Sequence, residues 1–244
     1  MKIQYYTMMI VLALLASGCQ KRRDTEGDQA ARPLRQNKSI AKSPFVRDEC
    51  EYVCMVVIDL SGSFRDKMAA QGAAYDFVNR VIAKCFKDRV GSSADRIVLA
   101  GISGTSKSIL WEGSPGQLKR KFASREAFRD FLYANADPNG SLVNEGLARA
   151  IEYLCRMQSV SSGQAKSILL VLSDMEDNGP NREATEQRLV NSLLSFLKLR
   201  GHCGLYFVDQ NRMEHWQARL TAEGYPLVPI VSDKNEMPTL PDFQ

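Results

Sequence analysis

Long apolar runs and amphipathic runs alternate along most of the chain. The run that begins at Tyr52, Tyr-Val-Cys-Met-Val-Val-Ile-Asp, is almost entirely apolar and rich in β-branched residues. This composition is typical of a strand buried on both faces. The further predicted strands are Arg96–Ile102, Ser108–Trp111, Ser167–Leu172, Cys203–Val208 and Leu227–Val231.

Between these strands, apolar residues recur at the spacing of amphipathic helices. The first such pattern runs from Met68 to Phe86 and predicts a helix of about six turns. The other predicted helices are Arg125–Tyr133, Val143–Cys155, Leu189–Leu197 and Met213–Ala222. The alternation predicts a doubly wound α/β fold, with a mostly parallel central sheet and helices on both faces. The short link at residues 103–106 permits a hairpin, which predicts one antiparallel edge strand.

The first residues resemble the export signal of a bacterial lipoprotein. Lys2 precedes the apolar run Met8–Ala16, which is shorter than the ~20 residues that span a bilayer. The run ends in Leu-Ala-Ser-Gly-Cys, which is similar to a lipobox. That resemblance implies cleavage before Cys19 and lipidation of Cys19. The alternative is an ordinary secretory signal with a coincidental cysteine.

A lipidated Cys19 would hold the protein on a bacterial membrane without a transmembrane helix, because acyl chains supply the apolar anchor. The next residue is Gln20, not Asp. This resembles outer-membrane sorting in enterobacteria-like cells. The predicted location is therefore the cell envelope, at the outer membrane in preference to the inner one.

Composition and charge divide the chain into three predicted segments. Residues 1–18 form the signal peptide, 19–47 the lipidated cysteine and a polar tether, and 48–244 one α/β domain. Residues 20–47 hold eight basic and three acidic side chains, whereas residues 48–244 hold 23 basic and 25 acidic ones. The net charge of +4 thus arises outside the domain. We therefore expect no nucleic-acid binding by the domain.

The first buried strand ends in a cluster of oxygen-bearing side chains. Asp59, Ser61 and Ser63 occupy alternate positions around Gly62, so one carboxylate and two hydroxyls can converge above the end of the strand. Oxygen ligands of this kind suit a hard cation such as Mg²⁺. The alternative is that these polar residues only form turns and cap the ends of strands and helices.

Two later segments complete a resemblance to the von Willebrand factor A domain and its metal-ion-dependent adhesion site. That family has DxSxS after the first strand, a hydroxyl residue before a later helix, and an aspartate ending a later apolar strand. Ser141, in Gly-Ser-Leu-Val-Asn-Glu, and Asp174, after Leu-Leu-Val-Leu-Ser, stand at the second and third positions. The resemblance covers roughly residues 50–232.

The resemblance implies a bound Mg²⁺, or Mn²⁺ or Ca²⁺, held by Asp59, Ser61, Ser63, Ser141 and Asp174. It also implies a protein partner that contributes a carboxylate as the last ligand. The chain departs from the family pattern at Ser141, where threonine is usual. Glu176 and Asp177 follow Asp174 closely, so their charges would repel an acidic partner unless they point away.

These features predict a membrane-anchored binding module that engages a protein through a divalent cation. The alternative is a structural or assembly component of an envelope complex with no metal requirement. We expect no enzymatic activity, since the sequence offers no recognisable nucleophile, general base or nucleotide-binding motif. Five cysteines remain beside Cys19, and their pairing is left open.

Overall fold

The structure, a computed structural model, describes residues 50–88, 94–102, 108–136, 142–235 and 237–240. The predicted signal peptide, Cys19 and the tether lie outside these residues, and so does Ser141. Their assignments, and the segment boundaries 1–18, 19–47 and 48–244, stay predictions. Within the described ranges, no helix has the length and apolar character needed to cross a membrane.

A six-stranded sheet forms the centre of the domain, and its strand order is β3-β2-β1-β4-β5-β6. Five strands are parallel, and only the edge strand β3 pairs antiparallel, with β2. The predicted fold class, including the antiparallel edge strand, is confirmed. The strands are β1 Tyr52–Asp59, β2 Arg96–Ile102, β3 Ile109–Gly113, β4 Lys166–Leu172, β5 His202–Val208 and β6 Ile230–Ser232.

Helices cover both faces of this sheet. They are α1 Ala73–Asp88, α2 Pro115–Lys121, α3 Arg125–Ala134, α4 Val143–Arg156, α5 Gln158–Ser161, α6 Arg182–Lys198 and α7 Gln210–Ala222. The layer on one face contains side chains of α1, α2 and α3, and the layer on the other contains side chains of α4, α6 and α7. Since successive strand residues point to opposite faces, the apolar runs of β1 and β4 supply both layers.

The predicted helix from Met68 to Phe86 is in fact two elements. A 3-10 helix spans Arg65–Met68, and α1 begins only at Ala73. Gly72 lies at the break, where a Cβ atom would stand 2.2 Å from the carbonyl oxygen of Lys67. Only glycine permits this close approach of the backbone. The apolar spacing continued across the break, so periodicity alone did not reveal it.

Two further differences concern the short elements. The prediction omitted α2, although Ser114 and Gln117 form a capping box in which each side chain bonds the other's backbone N–H. That S-x-x-Q spacing is a helix-start signal in the sequence. The last strand is three residues long and begins at Ile230, not at Leu227. Leu227 is 91% exposed, so its apolar side chain belongs to a loop.

Candidate functional site

The predicted site residues gather where the strand order reverses. β1 pairs with β2 on one side and with β4 on the other, so the carboxyl ends of β1 and β4 are neighbours. In doubly wound sheets, ligands bind at this position. Asp59 is the last residue of β1, and Asp174 follows the end of β4 by two residues.

The loop after β1 is fixed by its own hydrogen bonds and by an aromatic anchor. The backbone N–H of Ser61 donates to Asp59 Oδ1 at 2.9 Å. Beyond the loop, Phe64 is fully buried and packs edge-to-face against Phe207, with ring centroids 6.3 Å apart. This anchor holds the segment from Ser61 to Ser63 over the end of the strand.

A hydroxyl–carboxylate bond joins the two ends of the predicted site. Ser63 Oγ donates to Asp174 Oδ2 at 2.8 Å, across 111 residues of sequence. Ser61 Oγ and Ser63 Oγ are 3.5 Å apart, so both hydroxyls lie near the same point. The structure thus brings together Asp59, Ser61, Ser63 and Asp174, whereas Ser141 lies outside the described residues.

Ser173 is a member of this cluster that the sequence analysis missed. Its Oγ donates to Asp59 Oδ2 at 2.8 Å and accepts from the backbone N–H of Met175 at 2.9 Å. The sheet register explains the contact, because Ile58 lies opposite Leu172 and the next residues on each strand are Asp59 and Ser173. A hydroxyl directly before the strand-ending aspartate was the available signal.

The turn after β4 orients Asp174. Met175 has a φ of 61°, in the left-handed region that non-glycine residues rarely adopt. Beyond it, the backbone N–H of Glu176 donates to Asp174 Oδ1 at 3.0 Å. Asp174 therefore has one carboxylate oxygen tied to its own turn and the other tied to Ser63.

Asp177 is bonded to the start of α4. Its Oδ1 accepts the backbone N–H of Asn144 at 3.1 Å, and the side chain is buried. A carboxylate at a helix N-terminus is stabilised by the unpaired N–H groups and the helix dipole. The start of α4 thus compensates part of the charge of Asp177, one of the two acidic residues considered from the sequence. Glu176 is exposed.

Burial and a neighbouring carboxylate disfavour the charged form of Asp59. Asp59 is fully buried, and its pKa is raised from 3.8 to about 6, chiefly by burial and to a smaller extent by the charge of Asp174. Hydrogen bonds from Ser61 and Ser173 act in the opposite direction. Among the described residues, no basic side chain forms an ion pair with Asp59 or Asp174.

The donor set fits a hard divalent cation of the magnesium type. In the part of the chain that the structure describes, no three His, Cys, Asp or Glu side chains group as metal ligands. A cation here would depend on two carboxylates, serine hydroxyls and water, which is the ligand set that Mg²⁺ accepts. Ser63 is exposed while Asp59 and Ser61 are buried, so the cluster reaches solvent at Ser63.

No protein-family model matches the sequence. Among curated proteins, too, there is no match. The pilus adhesin SpaC of Lactobacillus rhamnosus GG has a similar structure, with a TM-score of 0.53 and 12% identity. The match covers 75% of this chain and 28% of SpaC, so this chain corresponds to little more than a quarter of that protein. At this identity the likeness shows a shared fold.

Two other solved structures match with lower scores. The manganese-loaded TRAP protein of Plasmodium vivax has a TM-score of 0.45 and 13% identity, over 77% of this chain and 70% of its own. Proximal thread matrix protein 1 of the mussel byssus has a TM-score of 0.42 and 13% identity, over 75% and 43%. Neither score is high enough to support an argument about the site.

Proposed function

We propose that this chain is a von Willebrand factor A-like binding module that holds a divalent cation at a metal-ion-dependent adhesion site. The bond from Ser63 to Asp174, 2.8 Å long, is the observation that carries the proposal. It joins the loop after β1 to the turn after β4. These are two of the three segments whose resemblance predicted the site.

The cation is Mg²⁺, with Mn²⁺ or Ca²⁺ as the other candidates, held by Asp59, Ser61, Ser63, Ser141 and Asp174. Ser63 donates its proton to Asp174, so the lone pairs of its oxygen remain available to a cation. A positive charge would also relieve the repulsion between Asp59 and Asp174, which lack a basic partner among the described residues.

The partner is a protein that presents an acidic side chain. A bound cation supplies a Lewis acid that accepts this carboxylate as its last ligand. The exposed Ser63 leaves the site open to an approaching partner, and the start of α4 compensates part of the charge of Asp177. SpaC is a pilus adhesin, and the proposal gives this chain, too, a role in binding.

The proposed setting is the bacterial cell envelope, with the domain tethered to the outer membrane through lipidated Cys19. The proposed activity is binding without catalysis. Of the two histidines, His202 is exposed at the first residue of β5, and His215 contacts Glu186 on the surface at 2.8 Å. Neither belongs to the described cluster around Asp59.

Cation binding is tested by titrating the full chain with MgCl₂ and MnCl₂ in a calorimeter, after treatment with a chelator. We expect the wild type to bind one ion and Asp174→Asn to lose binding. Asp209→Asn is the matched control, because Asp209 follows the neighbouring strand β5 and caps α7 with its side chain. Asparagine also caps helices. Equal binding by wild type and Asp174→Asn would refute the proposed site.

Partner engagement is tested by incubating the immobilised full chain with envelope extract, with and without chelator. The proposal predicts capture of a protein by wild type and Asp209→Asn, and loss of capture with chelator or with Asp174→Asn. If the amount of captured protein is the same with chelator and with Asp174→Asn, the cation-dependent role is contradicted. That result would favour an assembly component with no metal requirement.

A further inference from the structure

Two of the described cysteines lie in the same layer of the core. Cys54 is the third residue of β1 and Cys85 is near the end of α1, and they are 1% and 5% exposed. Both belong to the apolar layer between the sheet and α1. The two thiols also lie within hydrogen-bonding reach of each other.

The course of the chain explains why these residues meet. β1 ends at the carboxyl edge of the sheet, and the loop and 3-10 helix at that edge lead into α1. α1 therefore returns along β1 and brings its last turns toward the amino end of the strand. Cys54 stands at that end.

The other described cysteines are placed differently. Cys50 and Cys203 belong to the opposite layer, and Cys155 packs against that layer. The thiol of Cys50 donates to the carbonyl of Tyr52 at 3.0 Å. Among the described cysteines, Cys54 and Cys85 are the two that lie in the layer containing α1.

We propose that Cys54 and Cys85 form a disulfide that links β1 to α1 when the chain folds in an oxidising compartment. The inference is independent of the cation site. It agrees with the predicted export, because disulfides form and persist outside the cytoplasm. Cys54 and Cys85 are not bonded to each other in this structure, and the proposal describes their oxidised form.

The reaction requires a disulfide oxidant such as oxidised glutathione. One protein thiolate attacks the oxidant and releases one reduced thiol, and the second protein thiolate then displaces the other. Each protein thiol loses one proton, the protein loses two electrons, and the oxidant becomes two thiols. The hydrogen bond with Cys85, together with burial, raises the pKa of Cys54 well above its usual range. The exchange is therefore expected during folding, before the layer closes.

The test is to refold the reduced full chain in a buffer of oxidised and reduced glutathione, alkylate free thiols, and map the linked peptides by mass spectrometry. We expect a peptide pair joining Cys54 to Cys85, with a mass loss of two hydrogens. After reduction, two additional sites become alkylated. Cys155→Ser is the control and should retain the pair, whereas Cys85→Ala should abolish it.

Recovery of both Cys54 and Cys85 as alkylated thiols from the folded, oxidant-treated wild type would overturn the proposal. A link from either residue to Cys19, Cys50, Cys155 or Cys203 would also overturn it. The wild-type peptide map decides between these results even if Cys85→Ala does not fold.

Discussion

The two ends of the central sheet differ in chemistry although the same strands form both. At the carboxyl end, β1 and β4 are followed by polar residues that form hydrogen bonds with one another. The carboxylates of Asp59 and Asp174 accept these bonds. At the amino end, most buried residues are apolar side chains and thiols, with Asp95 and Ser167 as the polar exceptions, beside a cavity of about 820 Å³ bordered by Tyr52, Lys166 and Cys203.

This difference separates the residues that stabilise the fold from those to which we assign the proposed binding. Burying an aliphatic side chain stabilises a domain, whereas burying a carboxylate without a positive partner destabilises it. Truncating a buried aliphatic side chain at the amino end and neutralising a buried carboxylate at the carboxyl end should therefore alter the free energy of unfolding with opposite signs. A cation should affect only the carboxyl end.

The largest effect is expected at the amino end. Ile97, the second residue of β2, is 2% exposed and lies opposite Cys54. Ile97→Ala should lower the free energy of unfolding by about 2–5 kcal/mol, because it removes buried methyl groups and leaves a cavity. Urea denaturation measures this loss, which should be the same with Mg²⁺ and with chelator. A loss that Mg²⁺ reverses would contradict the separation of the two ends.

Neutralising the buried carboxylate should have the opposite sign. In chelator at pH 7, Asp59→Asn should raise the free energy of unfolding by about 3 kcal/mol, which is the equivalent of a pKa shift of about two units. The same substitution should abolish the stabilisation of the wild type by Mg²⁺. Urea denaturation with and without Mg²⁺ measures both effects, and a destabilised variant in chelator would argue against electrostatic stress at Asp59.

The pH dependence sharpens this test. The pKa of Asp59 is raised from 3.8 to about 6 on folding, so the folded state retains a proton that the unfolded state has lost in this range. The contribution of Asp59 to stability should therefore fall as the pH rises from about 4 to about 6 and stay low above that. The difference in stability between wild type and Asp59→Asn, measured in chelator across this range, should follow that curve.

A smaller effect on stability is expected at the solvent-exposed rim of the site. Ser63→Ala removes the hydrogen bond to Asp174 but exposes that carboxylate to water, so the free energy of unfolding in chelator should fall by about 1 kcal/mol or less. The affinity for Mg²⁺ should nevertheless fall by about tenfold or more, because a ligand is lost. Calorimetric titration measures the affinity, and Ser114→Ala, at the N-cap of α2, is a serine control that should leave it unchanged.

The sequence predicted the fold well where the apolar pattern was long. β1, β4 and β5 have unbroken runs, so their positions were predicted to within one residue. The break before α1 was missed because it depends on the close approach of Gly72 to the backbone of Lys67. Such a contact between backbone atoms leaves no trace in side-chain periodicity.

The site, like the fold, was predictable where the signal lies in neighbouring residues of the sequence. Asp59, Ser61 and Ser63 could be placed together from their spacing, and Asp174 from its position after an apolar strand. Ser173 and Asp177 required the register between β1 and β4 and the direction of the turn at Met175. These depend on tertiary pairing, which local patterns do not contain.

The most direct test of cation binding is anomalous diffraction from crystals of the protein soaked in MnCl₂, recorded near the manganese absorption edge. We predict one anomalous peak at the carboxyl ends of β1 and β4, within coordination distance of Ser61 and Ser63. The peak should be absent from Asp174→Asn crystals. A wild-type map with no peak there, or with manganese bound only elsewhere, would contradict the proposed role of this cluster.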